Sequence, residues 1–227
     1  MFCHIDNIDI PKLNLETKTI NGSRFYNIDG TLYPSVTSVL SMLSRDSIKK
    51  WRDRIGHNKA DSISRKSAIR GTHVHTICEK YLNNDKYYLK DCLPDRVEMF
   101  KSIQPILDKH INNIHGQELA MYSNWLNVAG RVDCIAEWDG ELSIIDFKTS
   151  NKLKKKEWID NYFMQCAAYA RMYYEHTGIA IKKTVIVVAV NQDSPQIFEE
   201  KVLNWILPFR DLVALYRKEN ELGLISE

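Results

Sequence analysis

The spacing of apolar residues changes once along this 227-residue chain, and that change limits what it can fold into. From Ser35 to about His115 apolar side chains recur every three or four positions. Val36, Val39, Leu40 and Leu43 share a face, as do Ile48, Trp51 and Ile55, and then Val74, Ile77 and Tyr81. This is the period of amphipathic helices. Pro94 suits the first turn of a further helix running toward His115, where its missing N–H costs nothing. After Gly116 the apolar residues alternate or run together, and residues 119–126, 128–138 and 142–148 read as three consecutive strands. Asp139-Gly140, between the last two, is a tight-hairpin signal, because both residue types tolerate positive φ. A helix over about 157–176, a buried strand over 184–190, a short edge strand over 198–202 and a closing helix over 203–222 follow. Residues 17–33 read as a small β-hairpin region with turns at Asn21-Gly22 and Asp29-Gly30. The order implies an α/β fold, a central mixed sheet with helices packed on it. One domain is expected, with residues 1–34 as the hairpin region, 35–115 as a helical region and 116–227 as the αβ core.

Composition excludes little beyond the membrane and the disulfide-rich classes. Hydrophobic residues make up 44% and charged residues 26%, and no apolar run nears the roughly 20 residues that cross a bilayer. No membrane partner is expected. The N-terminus lacks a charged-then-apolar signal pattern, and Asp6 and Asp9 without an arginine argue against a mitochondrial transit peptide. A cytoplasmic setting, in a bacterium or a phage-infected cell, is the expectation. The cysteines (Cys3, Cys78, Cys92, Cys134, Cys166) are scattered with no C-x-x-C, against a disulfide framework or a Cys-rich zinc site. The net charge of +2 is uninformative, but basic residues cluster at Lys49, Lys50, Arg52 and Arg54, at Arg65, Lys66 and Arg70, and at Lys152, Lys154, Lys155 and Lys156. Such clusters fit a phosphate backbone and equally a solvated helix face.

The chemistry concentrates in Gly130-Arg131-Val132-Asp133-Cys134 and Ile144-Ile145-Asp146-Phe147-Lys148-Thr149-Ser150. Asp146 and Lys148 are two apart on one strand and share a face. The hairpin register brings Asp133 close to Asp146. Two adjacent carboxylates repel unless a cation holds them, and aspartate oxygens suit Mg²⁺ or Mn²⁺. Lys148 is placed to orient a water or stabilise charge on a phosphate. A bare D-x-K also arises by chance as a strand salt bridge; the upstream Gly130-x-x-Asp133 and the intervening hairpin weigh against that here. Gly71, His75 and Glu79 are spaced by four on one helix face, so His75 is a candidate metal ligand with Glu79 in support. The alternative is a half-exposed His–Glu pair that steadies the helix. Gln165 and Tyr169, four apart on the helix after the D-x-K strand, place an amide and a phenol beside the carboxylates, where they fix the site backbone or contact a phosphate.

The ordered set G-x-x-x-H, G-x-x-D, D-x-K and Q-x-x-x-Y, carried by Gly71/His75, Gly130/Asp133, Asp146/Lys148 and Gln165/Tyr169, resembles the RecB-like branch of the PD-(D/E)XK nuclease superfamily. The likeness extends toward the mitochondrial genome maintenance exonuclease family and its phage-encoded relatives, on residues 33–40, Trp51-Arg52, 71–79, 129–133, 144–150 and 158–170. It implies a restriction-endonuclease-like core and a DNA exonuclease preferring single strands or single-stranded ends. One or two Mg²⁺ or Mn²⁺ ions would be held by His75, Asp133, Asp146 and the Phe147 carbonyl. Lys148 would be the catalytic lysine, with Gln165 and Tyr169 supporting the site. Ser35, Thr37, Thr149 and Tyr169 are the implied phosphate contacts. Arg52 and Arg70 would line a channel in a helical region arched over the site. No cysteine follows Cys166, so the iron–sulfur cluster of some RecB-like nucleases is not expected. A helicase-type phosphate loop is absent, so any coupling to ATP needs a partner. Two alternatives are a structure-specific endonuclease on the same core and a non-catalytic DNA-binding or assembly protein; the intact Asp133, Asp146 and Lys148 speak against the second.

Overall fold

The computed structural model describes residues 1–5 and 16–220; Asp6, Asp9 and the expected end of the closing helix at residue 222 lie outside them. Strands β1 (Glu16–Ile20), β2 (Ser23–Ile28) and β3 (Thr31–Pro34) form a small antiparallel sheet. Its two turns fall at Asn21-Gly22 and Asp29-Gly30, all four residues having positive φ. Helix α1 (Val36–Leu40) starts where the Ser35 Oγ accepts the Ser38 N–H at 3.0 Å, a side-chain cap on an otherwise unpaired donor. Helices α2 (Arg45–Ile55), α3 (His57–Leu82) and α4 (Pro94–His110) follow, with Pro94 in the first turn of α4.

The main sheet comprises β4 (Ile111–Ser123), β5 (Val128–Trp138), β6 (Glu141–Ser150), β7 (Lys183–Val190) and β8 (Gln196–Lys201), in that spatial order. Among the strand pairings of this sheet in the described residues only β6–β7 is parallel, and α5 (Asp160–Thr177) makes that crossover. Helix α6 (Leu203–Glu219) closes the described chain. Asp139 and Gly140, at φ 54° and 81°, make the two-residue turn between Trp138 and Glu141. One face of the sheet packs on α1, α5 and α6, burying Val132, Ile144, Ile186 and Val188. The other packs on α3 and α4, burying Cys134, Ile145, Phe147, Val185 and Val187. β7 is covered on both faces, which is why its sequence is an unbroken Val-Ile-Val-Val-Ala-Val rather than an alternation.

Two boundaries differ from expectation. The helical region ends at His110, not His115, and the sheet begins at Ile111, not residue 119. Register shifts between Asn112 and Ile114 and between Ile114 and Gly116, with Asn113 at φ 42°, break the alternation and hide the strand from a period-two reading. Leu43 and the stripe containing Ile48 are not core: Leu43 and Ile48 are 51% and 46% exposed, whereas Val36, Val39 and Leu40 are buried. α2 buries no residue at all, and the first half of α3 buries only Ala60. Residues 45–70 therefore stand away from the core rather than within it.

Candidate active site

The site forms where the main sheet splits. The β5–β6 ladder ends at the pair Cys134–Ile145. Beyond it β6 continues on β7 alone, and the other end of β5 continues on β4 alone. Asp133 and Asp146 are the next residues in register, one on each side of the opening. Here the Phe147 N–H donates to Asp133 Oδ2 at 2.9 Å. On the far side of β5, the pairs Gln117–Cys134 and Leu119–Val132 place Glu118 opposite Asp133. Glu118, Asp133 and Asp146 thus form a row of carboxylates across three strands. Like charges opposed across strands destabilise a sheet, so this row calls for a compensating charge.

Helix α3 brings His75 to the row, with Nδ1 at 3.3 Å from Asp133 Oδ2. Ligand atoms of His75, Glu118 and Asp133 all lie within 4.8 Å of one another. Gly71, Thr72, Thr76 and Glu79 line the same pocket, as the spacing by four implies for His75 and Glu79. Asp146, 1% exposed, is held from the other side. Lys148 Nζ lies 2.5 Å from its Oδ2, and Gln165 Nε2 donates to its Oδ1 at 3.0 Å. Lys148 Nζ also donates to Gln165 Oε1 at 3.4 Å and sits 5.2 Å from the centre of the Tyr162 ring.

Two of the motifs meet in one contact. A Cβ on Gly130 would stand 2.8 Å from Tyr169 Cε1 and 3.2 Å from its Oη. Only a glycine leaves room for that ring, and the ring in turn seats the helix that presents Gln165 to Asp146.

The electrostatics follow from burial and neighbours. Burial, aided by Asp133, raises the Asp146 carboxyl to about 6 against the pull of Lys148. Burial also pushes Asp133 upward, but His75, Lys148 and the Phe147 N–H outweigh it and bring Asp133 below the usual carboxylate range. Burial works to lower His75 and Lys148, and the carboxylates reverse it: Asp133 raises His75, and Asp146 with Asp133 raises Lys148. Burial and Asp133 raise Glu118.

This donor set fits a divalent cation. The ligand atoms that converge belong to His75, Glu118 and Asp133, while Asp146 Oδ2, wholly buried, is in ion-pair contact with Lys148. Carboxylate oxygens and one imidazole converge where negative charge is in excess. Hard oxygen donors of this kind suit Mg²⁺ or Mn²⁺.

The remaining expected site residues divide. Arg70 and Thr149 lie beside the site: Arg70 Nη1 donates to Asn151 Oδ1 at 2.5 Å just past β6, and Thr149 Oγ1 would be 3.8 Å from a Cβ on Gly71. Ser35 and Tyr169 are buried, 1% and 2% exposed. Ser35 caps α1 and bridges to Ala129, and Tyr169 packs on Gly130. Thr37 accepts a hydrogen bond from Arg24 at 3.0 Å, and Arg52 pairs with Asp61 at 2.7 Å around a separate pocket that includes His57 and Tyr216. Neither is brought to the carboxylate row. Glu118 was not among the expected residues. The four-residue turn over 124–127, between the paired Ser123 and Val128, sets the β4–β5 register that puts it opposite Asp133.

A split mixed sheet with paired aspartates, a D-x-K lysine and a supporting glutamine is the architecture of a PD-(D/E)XK nuclease. The profile of the PD-(D/E)XK nuclease superfamily matches residues 88–206, and the chain belongs to that superfamily. The match includes Asp133, Asp146, Lys148, Gln165 and Tyr169 and begins after His75. Among curated proteins the chain is 28% identical over 181 residues to mitochondrial genome maintenance exonuclease 1 of Homo sapiens, covering 71% of this chain and 50% of that protein. It is 29% identical over 174 residues to the protein of the same name from Mus musculus, covering 71% and 51%. The chain therefore spans about half the length of the curated relatives it matches. A crystallographic chain from Eubacterium rectale is a looser likeness, with TM-score 0.48 and 15% identity over 67% of this chain and 68% of that one, and nothing rests on it.

Proposed function

We propose that the protein is a Mg²⁺- or Mn²⁺-dependent deoxyribonuclease that digests DNA from free ends and prefers single strands. The observation that carries this reading is the row of Glu118, Asp133 and Asp146 closing on His75 beside Lys148. His75, Asp133, Glu118 and Asp146, with the Phe147 carbonyl, would hold one or two cations. A bound cation polarises the scissile phosphate and acidifies water. The protein's own groups do the rest. Lys148, kept protonated by Asp146, points an N–H donor at the oxygen that gains charge during attack. Gln165 holds the Asp146 carboxylate and the Lys148 ammonium in one geometry. Tyr169 supports the helix that carries Gln165, and Thr149 and Arg70 face the strand at the end of β6. Residues 45–70, standing off the core and rich in lysine and arginine, would guide the strand, with Arg52 and Thr37 as outer contacts. The names of the curated relatives favour exonuclease over endonuclease action. Among the described residues no helix is long and apolar enough to cross a membrane. All five cysteines are unpaired, which supports a reducing compartment, the cytoplasm of a bacterium or phage-infected cell.

The test is digestion of end-labelled single-stranded, double-stranded and flapped DNA with Mg²⁺ or Mn²⁺, and with EDTA as control. Metal-dependent shortening of single strands is expected, and Asp146→Asn or Lys148→Ala should slow it by roughly 100-fold or more. Cleavage that survives EDTA or either substitution contradicts the assignment.

A further inference from the structure

Beside the carboxylate row lies a pair of arginines whose charge the protein does not fully neutralise. Arg70, immediately before Gly71 in α3, has the neutral Asn151 oxygen as its hydrogen-bond partner, and among the described residues no carboxylate forms an ion pair with it. Arg96, in the first turn of α4, pairs with the adjacent Asp95, its side chain 15% exposed. The Nε atoms of both arginines are buried and without a hydrogen bond. Burial, then repulsion from Arg96, pushes Arg70 below the usual arginine range, although a guanidinium stays charged in proteins. Two guanidinium groups from separate helices, with unmet donors and one carboxylate between them, are unfavourable until an anion joins them. Arg70 and Asn151 meet just past the end of β6, three residues beyond Lys148.

We propose that Arg70, Arg96 and Asn151 form a clamp for one phosphate of the DNA strand, next to the position that is cut. The inference rests on the nuclease reading and adds a defined contact to it. Arginine suits the task because its planar fork matches phosphate oxygens in pairs. The phosphate is either an internal diester or the strand's terminal phosphate, and the two are separable.

The test uses the 227-residue chain in EDTA, so that binding is read without cleavage, with a fluorescent single-stranded oligonucleotide. Arg70→Ala and Arg96→Ala should each weaken binding by about ten-fold and flatten the salt dependence by about 0.7 in log–log slope. Arg70→Lys and Arg96→Lys should recover only part of the affinity. A single uncharged methylphosphonate linkage, moved stepwise along the strand, should weaken wild-type binding at one position and the alanine variants no further there. If the loss instead follows the 5′- or 3′-phosphate, comparison with hydroxyl-ended DNA shows the terminal form of the clamp. Folded alanine variants with wild-type affinity and slope overturn the clamp. Should they fail to fold, wild-type binding that is indifferent to every methylphosphonate position and to end phosphorylation overturns it. A wild-type protein that cleaves DNA in either case leaves the nuclease reading standing; one that neither cleaves nor binds removes both.

Discussion

Asp146 is the residue on which the site turns, buried at 1% exposure with Lys148 on one oxygen and Gln165 on the other. Burial raises its carboxyl to about 6, so a cation must displace a proton from it below that pH and meets a free carboxylate above it. Mn²⁺ affinity measured by calorimetry should therefore weaken as pH falls through about 6, and more steeply in the wild type than in Asp146→Asn, because His75, raised by Asp133, also gives up a proton to the cation. Equal slopes in the two proteins would remove Asp146 from the ligand set. Glu118 is tested separately. Glu118→Gln keeps the side chain's size and should weaken cation binding by about ten-fold or more, with thermal melting of the metal-free protein little changed. Unaltered Mn²⁺ affinity would show that Glu118 is only a neighbour. Most of this site was legible in the sequence because Asp139-Gly140 is so short a turn that it sets the register of Asp133 against Asp146. Glu118 was not, because its register depends on the longer turn over 124–127, which carries no equally strong signal.

Among the elements, α5 and β5 depend on each other through Gly130 and Tyr169. Gly130→Ala forces the Tyr169 ring aside, since the new methyl would lie 2.8 Å from Cε1. Overpacking of this kind costs about 1–3 kcal/mol, which urea denaturation can measure. Displacing Tyr169 also shifts Gln165, so activity should fall further than stability alone accounts for. A variant as stable and active as the wild type would show that the ring yields freely and that the two motifs are not coupled. The strands and helices themselves could be read wherever one face is buried: β7, with both faces covered, appears as an unbroken apolar run. β4 could not be read over its first half, because bulges around Asn113 and His115 reverse the side-chain alternation that marks a strand.

For the whole molecule, the consequential feature is the unequal burial of its helices. α5 and α6 are packed into the core, whereas α2 and the first half of α3 stand off it and carry Lys49, Lys50, Arg52, Arg54, Lys59, Arg65 and Lys66. Periodicity identified these segments as helices but not as projections, since an apolar stripe such as Ile48, Trp51 and Ile55 looks the same whether or not a core lies beneath it. If the projection guides a free end into the site, linear single-stranded DNA should be degraded while a covalently closed circle of the same sequence persists. Degradation of both at equal rates would favour an endonuclease on the same core. Underlying each of these expectations is a cation held where the sheet divides. Anomalous diffraction from crystals of the wild-type protein soaked in Mn²⁺ locates such an ion directly. A peak between Asp133 and Asp146 and within reach of His75 is the expected result; crystals saturated with Mn²⁺ that show no peak there would contradict it.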